Sequence, residues 1–210
     1  MDDQQLTSYR EVAPELFDAF VAAWGPVATG GSVRHEASGR RVNVLVFVEP
    51  DGSLVRFVTH GLGLAAAADG APLQLELLLA ARPDLGGVEP EKAVEFVFDV
   101  GAHLLTVGLR PTPPMLMAPT DLSPWLPSAL LFDEPLREPE SVAALEVDGI
   151  HVHLLALVPI HPDEHDLLDG AESLEQAVDD LARSLGGLTW ADLGRPPSPQ
   201  TWLRRGEDGR

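Results

Sequence analysis

The chain has 210 residues, 45% of them hydrophobic, enough for one large domain or two small ones with a sizeable core and too apolar for a disordered tail. Lys and Arg number 14 against 33 Asp and Glu, and the resulting net charge of −19 repels phosphate backbones and argues against nucleic acid as a direct partner. With no cysteine there is no disulfide framework, thiolate metal site or cysteine nucleophile, and with no basic leader before an apolar stretch and no 18-residue apolar run a soluble, cytoplasmic protein with no membrane partner is expected.

Residues 1–11 form a polar N-terminal segment. From Pro14, which suits a first helical turn, Leu16, Phe17, Phe20, Val21 and Trp24 recur at three- and four-residue spacing and predict an amphipathic helix that Gly25-Pro26 ends. Ala28 to Ser32 reads as a small-residue linker. Val42 to Val48 and Leu54 to His60 read as two strands joined by the Glu49-Pro50-Asp51-Gly52 turn. The first is apolar on both faces, so it needs cover on both sides, which points to a central sheet with helices packed on it.

Leu73, Leu75, Leu77 and Leu79 alternate with Gln74 and Glu76 and predict a third strand, followed by a helix from Pro90 to Leu104. Six prolines between 111 and 127 predict a long ordered loop or an extended edge, because proline donates no ladder hydrogen bond. Ala129 to Phe132 and Val142 to Val147 read as short strands, and Asp148-Gly149 as a hairpin turn into a strand from Ile150 to Val158. Pro162 starts a helix, and Ser173 with Gln176 suggests a capping box on another that Gly186-Gly187 stops. The expected class is α+β, a mixed and largely antiparallel sheet with helices on its faces, in one domain over residues 12–195 with a disordered tail at 196–210.

Among possible reactive groups, His151 and His153 share a strand face, and His161 and His165 stand four apart, a spacing compatible with zinc. His161 precedes the helix-starting Pro162, however, and no His-Glu-x-x-His motif is present, so hydrogen-bonded histidines without a metal are expected. No Gly-x-Ser-x-Gly elbow occurs, Gly61-Leu62-Gly63 lacks the spacing of a dinucleotide fingerprint, and Lys92, the single lysine, belongs to no phosphate loop. Adjacent acids such as Asp133-Glu134 and Asp163-Glu164 fit solvated turns and helix starts better than acid/base catalysis. Neither catalytic residues nor a cofactor is therefore assigned. The charge is uneven: residues 133 to 180 hold 14 acidic residues and one basic, Arg137, so −13 of the −19 lies there. Such a segment is either a solvated face or a surface that steers a basic partner.

In order, Arg56-Phe57-Val58-Thr59-His60-Gly61-Leu62, the strand from Leu73, the Pro90 helix, Leu130-Leu131-Phe132-Asp133-Glu134-Pro135, Val152 to Glu164 and the closing Trp190 to Pro196 resemble the Suppressor of fused domain over residues 34–196. The resemblance is to the short bacterial type, consistent with the bias toward Gly, Pro and Arg of a G+C-rich genome. It implies an α+β domain that binds other proteins: animal members sequester Hedgehog-pathway transcription factors by clamping a peptide that adds as a strand, and short bacterial relatives lie near toxin genes, which implies an immunity role. The loop after the Pro90 helix departs from the family. Members commonly carry a Gly with a His or Asp-His there, whereas this chain reads Gly108-Leu109-Arg110-Pro111-Thr112, so the peptide-recognising polar group is replaced. The expectation is a non-enzymatic, immunity-type protein that neutralises a toxin partner with a basic surface, contacted by Thr112, Asp133, Glu134, Glu138 and Glu140. A regulatory adaptor using strand addition at a sheet edge is the alternative; a histidine-based metal protein or hydrolase is a more distant one.

Overall fold

A computed structural model describes residues 3–35, 39–118, 129–135 and 138–185. At its centre are β2 (Arg41–Val48) and β3 (Val55–His60), antiparallel with Val46 opposite Phe57. The strand read as apolar on both faces is covered on both. Val42, Val44 and Val46 pack with Phe96, Val97, Val100 and Leu104 of helix α3 (Pro90–Val107). Leu45 and Phe47, alternating with them, pack with Phe17, Phe20 and Trp24 of α2 (Pro14–Trp24), where Phe20 stacks on Trp24 at 5.0 Å and Trp24 meets Phe47 edge-on at 5.3 Å. α3 ends at Gly108, whose φ of 68° suits the left-handed stop and whose N–H donates to Leu104 O.

The sheet continues through β4 (Leu75–Ala81) to β8 (Ile150–Ile160), which lies parallel to β4, and on to β6 (Ala129–Asp133) and β5 (Met115–Met117). On the other side of β2 stands β1 (Thr29–Arg34), and β7 (Ala144–Val147) pairs with the first half of β8. All pairings except β4 with β8 are antiparallel, so the class is α+β with a mixed, mostly antiparallel sheet of eight strands and six α-helices among the described residues. The Asp148-Gly149 turn has positive φ at both residues, 52° and 75°, matching the right-handed twist of the strands it joins. Helices α5 (Pro162–Asp169) and α6 (Leu174–Leu185) close the end of the sheet with Leu168, Val178 and Leu181 against Leu131, Val158 and Ile160. The expected Ser173 cap is present in part, its Oγ accepting the Gln176 N–H at 3.3 Å.

Two local expectations need correction. Of the linker expected at 28–32, residues 29–32 belong to β1; they pair with β2 because Gly30 has no side chain, where a Cβ would stand 2.7 Å from Val44 O and 3.4 Å from the Tyr9 ring. The polar N-terminal segment holds a helix, α1 (Asp3–Arg10), which buries Tyr9 and rests Leu6 on the α2 side of the core. The strand expected from Val142 begins at Ala144, because residues 140–143 make one helical turn, α4 (Glu140–Ala143), with Val142 turned inward. The expected stop at 186–187, the terminal motif at 190–196 and the tail lie outside the described residues.

Candidate functional site

The outer edge of β8 changes partner along its length. Its second half pairs with β6 up to Asp133 opposite Ala156, and its first half pairs with β7 from Ala144 opposite His153. Between these two points residues 134–135 and 138–143 lie outside the strands that pair with β8, and Leu154 and Leu155 have no register partner on this side among the described residues. His153 N–H donates to Gln74 O on the β4 side, so strand alternation turns the N–H and C=O of Leu154 toward the opening. A cleft of about 700 Å³ occupies it. Its floor is Leu73, Leu75, Leu154 and Leu155, and its polar groups include Arg110, Thr112, Glu134 and His153.

Next to Leu75 of the floor stands a buried carboxylate. Glu76 is 1% exposed although it occupies a polar place in the period-two pattern. Its Oε1 accepts the N–H of Gly61 at 2.9 Å and of Gly63 at 3.0 Å, and its Oε2 accepts Leu62 N–H at 3.3 Å and the Thr59 hydroxyl at 2.6 Å. This fixes the 61–63 turn, whose Gly61 has a φ of 90°, and Gly63 O in turn accepts Gln74 N–H at 2.9 Å, which holds Leu73 and Leu75 at the cleft floor. Burial pushes the Glu76 carboxyl up to about 7, against the pull of those hydrogen bonds.

The outer wall is strapped by Arg110. Its guanidinium donates to both Asp69 oxygens, at 2.9 and 3.1 Å, and to the carbonyls of Pro72 at 3.0 Å and Ala71 at 3.2 Å, so the loop after α3 is tied to the turn before β4. That hydrogen-bonded guanidinium holds the Asp69 carboxyl below the usual carboxylate range. Thr112, one step beyond Pro111, is exposed at the rim.

Of the five residues singled out from sequence, the fold brings Thr112 and Glu134 together on this cleft. Asp133 precedes Glu134 at the end of β6; burial pushes its carboxyl up, the negative charges of Glu134 and Asp179 add to that, and the Glu134 N–H it accepts at 2.8 Å opposes it. Asp179, on α6, is thus an electrostatic neighbour of Asp133 and not a remote charge. Glu140 is exposed at the start of α4, one turn before the Ala143 that lines the cleft. Glu138 is turned inward, its side chain 5% exposed, with Oε1 receiving Arg56 Nε at 2.9 Å and Oε2 receiving the Trp24 indole N–H at 2.7 Å. Arg110 and Leu154 are in the cleft but not among the sequence candidates, and His153, weighed there only as a metal ligand, joins them; the altered loop at 108–112 is the one local signal toward Arg110.

The histidines do not converge. His151 and His153 share the exposed face of β8, His161 is the residue before α5, and its N–H donates to Glu164 Oε2 at 2.9 Å. No group of three His, Asp or Glu side chains among the described residues is placed to hold a metal. His60 is buried in a relay: its Nε2–H donates to Ala13 O at 2.8 Å, its Nδ1 accepts Asn43 Nδ2–H at 3.1 Å, and Asn43 Oδ1 accepts the Ser32 hydroxyl at 2.5 Å. Burial depresses its pKa to about 4, so it is neutral at ordinary pH. No helix among the described residues is long and apolar enough to cross a membrane.

The fold is similar to that of Drosophila Suppressor of Fused, with a TM-score of 0.66 at 11% sequence identity over 93% of this chain and 53% of that one. A chain in the crystal structure of the Sufu–Fu complex superposes with a TM-score of 0.59 at 9% identity, over 95% of this chain and 94% of that one. This chain therefore spans about half the length of the Drosophila protein. No protein-family model matches the sequence, and no curated protein matches it.

Proposed function

We propose that the chain is a non-enzymatic protein-binding domain whose partner docks on the cleft between β6 and β7, and that its role is the immunity-type neutralisation of a cognate toxin with a basic surface. The observation that carries this reading is the stretch of β8 without a partner strand among the described residues, at the floor of an apolar cleft with acids at its rim. An apolar side chain of the partner would enter between Leu73 and Leu155, its main chain would meet that of Leu154, and cationic groups would meet Glu134 and Asp133, with Thr112 on the opposite wall and Glu140 above. Glu138 is left out of the contact set because its carboxylate is occupied inside the fold.

A regulatory adaptor that takes up an extended peptide is the second reading, favoured by the direction of the Leu154 main-chain groups. A protein partner of either kind is supported by the likeness to a fold solved as a complex of Sufu with Fu. The test is capture from the source organism with the whole chain as bait, followed by mass spectrometry, repeated with Thr112→Trp to fill the cleft mouth and with Val107→Asp on an exposed residue of α3. A partner lost by the first variant and kept by the second supports the cleft. A toxin encoded beside this gene would distinguish the immunity role from the adaptor.

A further inference from the structure

The sheet ends in β1 on one side and in β5 and β7 on the other, and the edges are defended differently. β5 is three residues long and follows Pro111, Pro113 and Pro114, which donate no main-chain hydrogen bonds. β1 runs for six residues in continuous register with β2 and contains neither proline nor lysine. Just past its end, His35 N–H donates to Arg40 O at 2.8 Å, which makes 35 and 40 a hydrogen-bonded pair. Antiparallel alternation then ties residues 31 and 33 to β2 and turns the N–H and C=O of Gly30, Ser32 and Arg34 outward. No strand among the described residues pairs with that outer side. The feature is thus a ready strip of main-chain donors and acceptors, next to Val33, one of few large apolar side chains well exposed, at 44%.

The charges around this strip say what fits it. Helix α3 lies along β1, with Val94 and Phe98 over Gly31, where a Cβ would come within 3.3 and 3.2 Å of them. Helical spacing places Glu91 and Glu95 on the flank just beyond Val94 and Phe98, overhanging the first half of the strand. Arg34, exposed, stands at the other end, its Nη1 donating to Gly39 O at 2.9 Å. Lys92 donates to Glu95 at 2.8 Å but is outnumbered by Glu91 and Glu95, so the strip is net acidic at one end, and Arg34, near Asp99, stands at the other; Arg34 and Glu91 are then complementary under a two-fold rotation. Asp133 and Glu134, at the end of β6, lie five strand spacings from β1, roughly 24 Å or more than two Debye lengths at 0.1 M salt, while Glu138, the acid of the −13 segment that reaches β3, is buried in its ion pair with Arg56. Of these edges, with β7 carrying Glu146 of the acidic segment, β1 is the one where two strongly acidic copies repel each other least.

We propose that two copies of this chain associate through β1, antiparallel about Ser32, so that Arg34 of each lies opposite Gly30 of the other and meets its Glu91 and Glu95. The docking cleft lies on the far side of the sheet, so this association stands apart from the function proposed above.

Sedimentation velocity on the whole chain tests it. A species of twice the 22.5 kDa of one chain should grow with concentration through the micromolar range. Arg34→Glu, at an exposed position, should raise the dissociation constant by about tenfold or more, as should Glu91→Arg with Glu95→Arg, and the triple variant should restore the dimer because the charges are exchanged. Arg34→Pro, which deletes an outward N–H without touching the ladder to β2, should dissociate it as well. A single-chain species at every concentration would overturn the proposal, as would a dimer indifferent to these variants or a triple variant that remains monomeric.

Discussion

Arg56 and Glu138 are separated by 82 positions in the chain and by 2.9 Å in the fold. Between them they join four elements: Arg56 on β3 also reaches Glu49 in the following turn of the β2 hairpin at 2.6 Å and lies over the Trp24 ring of α2, its guanidinium carbon 5.4 Å from the centroid, while Glu138 holds the Trp24 indole from the segment that becomes α4. The excursion of the chain that opens the cleft is thereby anchored to the core at its far end.

That anchoring gives a stability prediction. Glu138→Ala leaves a buried guanidinium with half its ion pairing and a buried indole N–H with no acceptor, so it should destabilise the fold by about 2 to 4 kcal/mol in denaturant unfolding. Glu140→Ala, two residues on but exposed, should stay within about 0.5 kcal/mol of the parent.

Val46→Ala should cost about 1 to 3 kcal/mol, because Val46 is buried on the α3 side of a strand covered on both faces. An unchanged denaturation midpoint would contradict the central position of β2.

Two buried groups act on stability in opposite directions with pH. His60 stays neutral in the fold down to about 4, while the unfolded chain takes up its proton near 6.5; stability from this group is complete above 6.5 and falls as pH drops from there toward 4. Glu76 keeps its proton in the fold up to about 7, while the unfolded chain releases it near 4.5; its contribution is complete below 4.5 and falls as pH rises toward 7. Each is worth about 3 kcal/mol across its window, and the slopes oppose each other between 4.5 and 6.5. Urea midpoints of the parent should therefore be nearly level there, whereas those of Glu76→Gln should climb with pH. Parallel profiles would refute the opposition.

The parts legible in the sequence are those in which a local pattern and the tertiary environment agree. Val42 to Val48 announced two-sided burial and has it, and the Pro90 helix carries its apolar stripe onto the sheet. β1 was illegible because Thr29-Gly30-Gly31-Ser32 has no apolar periodicity; its strand character comes from the closeness of Val44 and Tyr9 to Gly30. Glu76 looked like an outward polar position because alternation alone does not reveal the three main-chain N–H groups that meet it from residues 61–63. The same limit applies to the site. Thr112 and Glu134 could be singled out one by one, but the parallel pairing of β4 with β8, which sets Gln74 beside His153, follows from no pattern within either strand.

Reversal of charge at the cleft rim, measured as an association rate, tests the proposed function most directly. With the captured partner, Asp133→Lys with Glu134→Lys should slow association at 0.1 M salt far more than Glu172→Lys with Glu175→Lys, exposed acids at the start of α6, and raising the salt concentration should shrink the difference because screening lengths fall below about 10 Å. Asp179 is unsuitable as the control, since its charge is already felt at Asp133. Equal slowing by the two pairs would reduce the acidic segment to a general field, and association indifferent to both pairs and to salt would contradict docking at this rim.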